Sequence, residues 1–278
     1  MLFNRENKLS LTETYFVMKL HPTFKKSLFI LIISVLSVNG QDKDNSKNLF
    51  FAGNINITNN GFSFIPLFSL GKPASTINLS IGRKRLSFDS QLRFDLDGMR
   101  PWSFLFGWNY RLVQNKKFNL RLGSFFPAYA FNNLVYKRKS KNISVLTPQR
   151  FFIWNAFMSY NISNKINVGI YYLNGRGLEK IDQTKSGNFI SLRFFANKLN
   201  INKSLSLNLN PESYFLKIDN NKGFYLASTF SLHHFRIPFF ISSTMNKAIN
   251  SNLNAKSFDW NIALNYKFKS SYKIIEKK

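Results

Sequence analysis

The chain contains no cysteine. That excludes a disulfide framework, a thiolate metal site and a cysteine nucleophile, and with them a lipid anchor on an N-terminal cysteine. Nor does any stretch reach the ~20 consecutive apolar residues that a membrane-crossing helix requires. Acidic residues are scarce, 13 Asp and Glu against 39 Lys and Arg, for a formal charge of +26 over 278 residues. Such an excess ordinarily points to nucleic acid, with a membrane surface as its rival, and the placement of the basic groups has to decide. Histidine occurs three times, as His21, His233 and His234.

The amino terminus argues for export. Lys19, Lys25 and Lys26 precede the apolar run "SLFILIISVLSV", Ser27 to Val38, and "NGQ" follows. A 12-residue apolar core behind a basic leader is a secretory signal pattern, with cleavage expected before Gln41, and an uncleaved anchor is the alternative. Met18 is the better start, since "MKLHPTFKK" supplies the short basic leader, so residues 1–40 are taken as an N-terminal extension and signal peptide. Removing them takes five basic and two acidic groups and leaves +23. A secreted chain of this charge is not primarily a genome-binding protein, and no nucleic-acid partner is expected.

What the chain has in abundance is aromatic residues, 17% of the total with 31 Phe, at a mean hydropathy that is slightly negative. The apolar residues are therefore interleaved with polar ones. Strict alternation is a strand signal, because successive side chains point to opposite faces. Segments of this kind occupy 49–58, 75–82, 85–96, 101–113, 117–127, 150–161, 165–174, 187–196, 203–210, 223–232, 235–243 and 257–268. The links between them alternate in length: those at 83–84, 114–116, 162–164, 197–202 and 233–234 are short. Those between them, at 59–74, 97–100, 128–149, 175–186, 211–222 and 244–256, are mostly longer. Short turns at one end and long loops at the other, around an even number of strands, describe an up-and-down transmembrane barrel. The expected fold is all-β, an antiparallel transmembrane β-barrel of twelve strands (10–14), one domain over 49–268. A short periplasmic segment, 41–48, precedes it and a basic tail, 269–278, follows.

The two faces of the strands differ in kind. One carries Leu86, Phe88, Leu92, Phe94 and Leu96, then Trp102, Phe104, Phe106, Trp108, Tyr110 and Leu112. The other carries Arg85, Asp89, Gln91, Arg93 and Asp95, then Ser103, Gly107, Asn109 and Arg111. In a membrane barrel the bulky face meets lipid and the polar face lines a wet lumen; in a soluble sandwich or lipocalin-like barrel the bulky face would fill the core. The signal peptide, the loop asymmetry and the aromatic excess favour the first. Tyr110, Tyr160 and Tyr266 share the apolar face near the short-turn end, as an aromatic girdle would.

The last strand, "SFDWNIALNYKF", Ser257 to Phe268, holds Asn261, Ala263, Tyr266 and Phe268 in an arrangement that resembles the C-terminal insertion signal of bacterial outer-membrane proteins. It departs from that signal at Ala263, where glycine is usual, and in the tail that follows. From Leu49 to Phe268 the chain resembles a bacterial outer-membrane β-barrel protein at the level of class, its Lys-, Asn- and Phe-rich style being similar to proteins of flavobacterial (Bacteroidota) type. The resemblance implies residence in the cell outer membrane, contact with its lipid and lipopolysaccharide, and insertion by the barrel-assembly machinery. The basic stretch "YKRKSK", 136–141, is expected to be a solvated loop against lipopolysaccharide.

No catalytic residues, metal ligands or cofactor are expected. His233 and His234 fall in a predicted short turn, at the wrong end for the serine–histidine pair of outer-membrane phospholipases or the rim site of omptin-type proteases. Two adjacent histidines without a carboxylate or cysteine nearby do not make a metal site. The lumen carries the functional expectation instead. By parity Arg85, Arg93, Arg111, Arg121, Arg193 and Arg236 project inward, with Lys267 beside them, and so do Asp89, Asp95 and Asp259. The basic excess predicts a small passive channel that favours anions. The alternative is a non-transporting structural or surface-interaction barrel. There the acids pair with the arginines, or the apolar segment Gly61 to Ser75, with Pro66 and Pro73, plugs the mouth.

Overall fold

A computed structural model describes residues 48–138, 141–179 and 184–273; the expected signal peptide lies outside them. Twelve antiparallel strands close into a barrel in sequence order, each paired to its neighbours and β1 to β12. They are β1 Asn48–Thr58, β2 Ala74–Arg83, β3 Leu86–Asp95, β4 Pro101–Gln114, β5 Phe118–Arg138, β6 Lys141–Asn161, β7 Ile166–Gly177, β8 Ser186–Asn200, β9 Leu205–Ile218, β10 Asn221–His234, β11 Phe239–Ser251 and β12 Phe258–Lys273. The seam runs from Asn48 opposite Lys273 to Thr58 opposite Ala263. Among the described residues there is no α-helix, only one 3-10 turn, Pro66–Phe68.

β12 decides which face meets lipid. Phe258, Trp260, Ile262, Leu264 and Tyr266 are 38–54% exposed, whereas Asp259, Ala263 and Asn265 between them are at most 9% exposed. The large apolar face therefore points outward around a closed wall and the polar face inward. A closed sheet satisfies its own backbone polar groups, which allows such a surface to sit in hydrocarbon. Tyr110, Tyr160 and Tyr266 are exposed on the outer surface. They lie opposite Leu86, Phe118 and Phe239, the first residues of β3, β5 and β11. All three are thus level with the short-turn end of the wall, where a ring with a polar tip suits the headgroup zone.

Three expected long loops are wholly or largely strand instead, one of them 244–256, where β11 runs on to Ser251. Residues 128–149 extend β5 and β6 as a hairpin paired out to Arg138 opposite Lys141, so most of "YKRKSK" continues the sheet. Likewise 211–218 completes β9, which turns directly into β10 with Asn221 opposite Ile218. In both places Pro148 and Pro211 break the apolar alternation without ending the strand. β12 continues five residues past Phe268 to Lys273, so part of the basic tail belongs to the wall. Further, His233 and His234 end β10 rather than forming a turn.

Candidate functional site: the lumen and the loop across its mouth

The loop between β1 and β2, residues 59–73, folds inward. Its stem is closed by backbone bonds from Gly61 N–H to Lys72 O (2.8 Å) and from Leu70 N–H to Gly61 O (2.7 Å). Each end is then held by a carboxylate at the long-loop end of the wall. Asp259 on β12 accepts a 2.7 Å hydrogen bond from Asn60 Nδ2, and Asp95 on β3 takes Lys72 Nζ at 2.9 Å and Arg100 Nε at 3.7 Å. The tip reaches three parts of the wall. Phe64 meets Tyr214 of β9 edge-on at 6.2 Å, Phe68 meets Phe151 of β6 at 5.6 Å, and Trp102 Nε1 of β4 donates to Phe68 O at 3.0 Å. Contacts with strands this far apart around the barrel place the loop across its mouth. The apolar segment 61–75, which the sequence allowed as a plug, is thus folded inward up to Pro73, and Ala74 and Ser75 open β2.

Behind the loop the two halves of the lumen differ. On the β8–β10 side the interior is filled by Phe189, Tyr214, Leu216, Ile218, Tyr225 and Ala227, with Leu253 and the loop's Phe64 and Ile65 packed on them. Tyr214 stacks on Tyr225 at 4.9 Å and donates its hydroxyl to Asn246 Oδ1 at 2.9 Å. On the other side two cavities follow one another. The first, about 520 Å³, lies under the loop between β3 and β9 and is lined by Arg93, Arg121 and Arg193 together with Trp102, Phe151 and Tyr171. The second, about 360 Å³, lies deeper against β1–β5 and has a mostly apolar lining, with Ala52, Leu79 and Phe125, into which Asn54, Asn78, Ser80 and Asp89 bring polar groups. Gln91, Leu105 and Phe125 line both. They form a wall common to the two cavities, in which Gln91 Nε2 donates to Asn78 Oδ1 at 2.8 Å.

The arginines of the first cavity are held by aromatic faces. Arg93 lies 4.8 Å from the ring centre of Trp102, Arg121 5.5 Å from Phe157 and Arg193 4.4 Å from Tyr171. A ring under a guanidinium attracts the cation and leaves its N–H edges free to donate. Arg193 spends part of that capacity on Glu212, Nε to Oε2 at 2.8 Å. Among the described residues Arg93 and Arg121 have no carboxylate partner. Glu212 lies in β9 next to Pro211, in a stretch where the apolar alternation that marks a strand is interrupted. Trp102 was assigned to the lipid face, and a register shift between Arg93 and Phe94 explains the difference. One extra residue in a strand turns a side chain to the other face, so Trp102 lies inside, over Arg93.

The other sequence-derived positions fall in several places. Arg111 is on the inner face, 5.9 Å from the Phe50 ring. Lys267 lies near the short-turn end, 5.6 Å from the ring of Phe240. Arg85 and Arg236 sit in the β2–β3 and β10–β11 turns, where Arg85 Nη1 caps Leu112 O at 3.2 Å and Arg236 N–H donates to His234 Nδ1 at 3.2 Å. Neither lines either of the two cavities, because strand parity does not hold past the strand ends. The acids do not pair with the lumen arginines. Asp89 accepts from Ser80, Ser87 and Asn109, while Asp95 and Asp259 hold the loop. Of the expected insertion signal, Tyr266 and Phe268 face outward with rings 6.1 Å apart. Ala263 is on the inner face, and Asn261 Oδ1 accepts from Thr244 N–H at 3.0 Å.

Of the two described histidines, His233 is the one with several side-chain neighbours. Its Nε2 lies 2.9 Å from Ser231 Oγ and 3.0 Å from Asn208 Nδ2, and its Nδ1 lies 3.5 Å from Lys267 Nζ. A serine next to an imidazole invites comparison with nucleophilic hydrolases. There, however, a carboxylate sits at Nδ1 and stabilises the imidazolium that forms; here an ammonium occupies that position and opposes the same charge.

Neither a protein-family profile nor a curated protein matches the sequence. Solved structures do resemble the barrel. The chain is similar to the KdgM porin (8% identity over 79% of this chain and 99% of the porin, TM-score 0.47). It is also similar to the NanC porin (12%, 79% and 100%, TM-score 0.46). A third likeness is to an outer membrane channel from Pseudomonas putida F1 (11%, 84% and 98%, TM-score 0.43).

Proposed function

We propose that this barrel resides in the cell outer membrane as a narrow channel for small solutes, with a preference for anions, and that loop 59–73 restricts its external mouth. The observation that carries the reading is the pair of adjacent cavities that share Gln91, Leu105 and Phe125, the outer of them lined by Arg93, Arg121 and Arg193. Rings or clusters of arginine in a confined bore raise the local concentration of anions and set selectivity. Moving Arg85 and Arg236 to the turns and adding Glu212 narrows the basic excess counted from sequence and concentrates what remains in the outer cavity. In this reading the short turns are periplasmic and the long β5–β6 hairpin extends outside, against lipopolysaccharide. The barrel-assembly machinery inserts the chain through its C-terminal strand.

A second reading has its own observation. The loop seated between Trp102, Phe151 and Tyr214, with the aromatic packing of Tyr214 and Tyr225 behind it, also suits a closed barrel that transports nothing. Planar-bilayer recordings under a salt gradient separate the two. Steady current with an anion-selective reversal potential, weakened in an Arg93→Gln/Arg121→Gln variant, supports the channel. Insertion without current in the wild type, and in a variant lacking the loop tip 62–69, supports the closed barrel.

A further inference from the structure

The outer cavity has two kinds of surface, and together they specify a solute. Arg93 and Arg121 offer guanidinium edges that no carboxylate among the described residues occupies, with their flat faces already resting on Trp102 and Phe157. The remainder is largely apolar: Phe125, Phe151 and Phe189 on the wall, with Phe68 and Leu70 on the loop above. At about 520 Å³ the space is of the size that small-molecule sites occupy.

We propose that this cavity binds amphipathic anions, a flat aromatic ring bearing a carboxylate, with the carboxylate on the Arg93 and Arg121 edges and the ring against the phenylalanines. The proposal names the solute class of the channel reading and rests on that reading for its physiological use. A guanidinium edge suits a carboxylate, which accepts two parallel N–H bonds from it. The apolar wall then discriminates among carboxylates. A polyhydroxylated acid would lose water from hydroxyls that the phenylalanines cannot replace, and a bare inorganic anion would leave the wall against water. A neutral aromatic would gain the wall but leave the guanidinium edges without an anion.

The molecule carries its own reporter. Of the four tryptophans, Trp108, Trp154 and Trp260 are exposed on the outer surface and Trp102 is buried inside, over Arg93. The test is fluorescence titration of the detergent-purified protein carrying Trp108→Phe, Trp154→Phe and Trp260→Phe, with sodium benzoate, sodium glucuronate and benzyl alcohol as probes. Benzoate is expected to give a saturable change in Trp102 emission, with the other two at least about ten-fold weaker. Arg93→Gln together with Arg121→Gln should raise the half-saturating benzoate concentration about ten-fold or more. No saturable response to benzoate, an equal response to glucuronate or benzyl alcohol, or a response unchanged by the arginine variant overturns the proposal. If the tryptophan-reduced protein fails to fold, equilibrium dialysis of radiolabelled benzoate against the wild type gives the same comparison. Current through bilayers without benzoate binding removes this site and leaves the channel. Benzoate binding without current keeps the site and removes the channel.

Discussion

The indole N–H of Trp102 donates to the backbone carbonyl of Phe68 at 3.0 Å, tying the middle of the β1–β2 loop to β4. Phenylalanine at 102 would keep an aromatic ring near Arg93 and lose the donor, together with the outer part of the indole that lies against Gly61. A net hydrogen bond of this kind is worth about 1 kcal/mol, so Trp102→Phe should raise the population of the displaced loop about five-fold, with the barrel unaltered. In single-channel recordings the variant is expected to show longer or more frequent open events than the wild type. Identical open probabilities would mean that the bond does not limit the loop.

Asp95 and Asp259 make a related prediction at the two ends of the same loop. Asp95 contacts Lys72 and Arg100, and Asp259 holds Asn60. Replacing Asp95 with Asn removes the charge that retains Lys72 while keeping the shape of the side chain. Hydrogen bonds to charged groups contribute about 1.5–3 kcal/mol, so chymotrypsin should cleave after Phe68, which the seated loop holds against Phe151, at least about ten times faster in Asp95→Asn than in the wild type. Asp259→Asn should act more weakly, since Asn60 is neutral. Mass spectrometry of the loop fragment reads both, and equal cleavage in all three proteins would show that the carboxylates do not hold the loop.

These two roles mark where sequence reading stops. Twelve strands, their antiparallel order and the outward direction of Phe258, Trp260, Ile262 and Leu264 were all visible, because period-two alternation reports directly which residues share a face. Alternation carries that information only while the register holds. At the shift between Arg93 and Phe94 it fails, and Trp102 moves from lipid to lumen. It fails again where proline interrupts a strand: Pro211 hid Glu212, and Pro148 hid the long β5–β6 hairpin. Past the last paired residue it says nothing, so Arg85 and Arg236 were placed in the bore although they sit in turns. The partners of Asp95 and Asp259 were beyond reach for another reason. Lys72 and Asn60 belong to a loop without period, and only closure of the barrel brings Asn60 to Asp259, 199 residues away in sequence.

The seam between β1 and β12 supplies a prediction about assembly. The Phe268 ring lies across Gly53 so closely that a Cβ there would collide with it. Its neighbours are Phe51 at 5.5 Å and Tyr266 at 6.1 Å. Each aromatic pair is worth about 0.5–1.5 kcal/mol beyond burial, so Phe268→Ala should lower the yield of folded barrel, and Gly53→Leu should lower it further by forcing the ring off the seam. Heat-modifiable migration in detergent gels measures the folded fraction. Normal yields from Gly53→Leu would show that the ring moves aside freely and that the seam does not depend on it.

Arg193 and Glu212 form the one arginine–carboxylate pair in the outer cavity among the described residues, and its two halves should respond in opposite senses. Glu212 is 7% exposed and Arg193 24%. Removing either charge leaves the other in a confined site, at a cost of about 3 kcal/mol or more by analogy with buried pairs in soluble proteins. Both Glu212→Gln and Arg193→Gln should therefore lower the temperature at which the barrel loses its heat-resistant gel migration. Selectivity separates them. Glu212→Gln adds an unpaired guanidinium beside Arg93 and Arg121, and should move the reversal potential under a salt gradient toward anions; Arg193→Gln leaves a carboxylate alone and should move it toward cations. The double variant removes both charges and should return close to the wild-type potential. Shifts of the same sign in the two single variants would place the conducting path away from this pair.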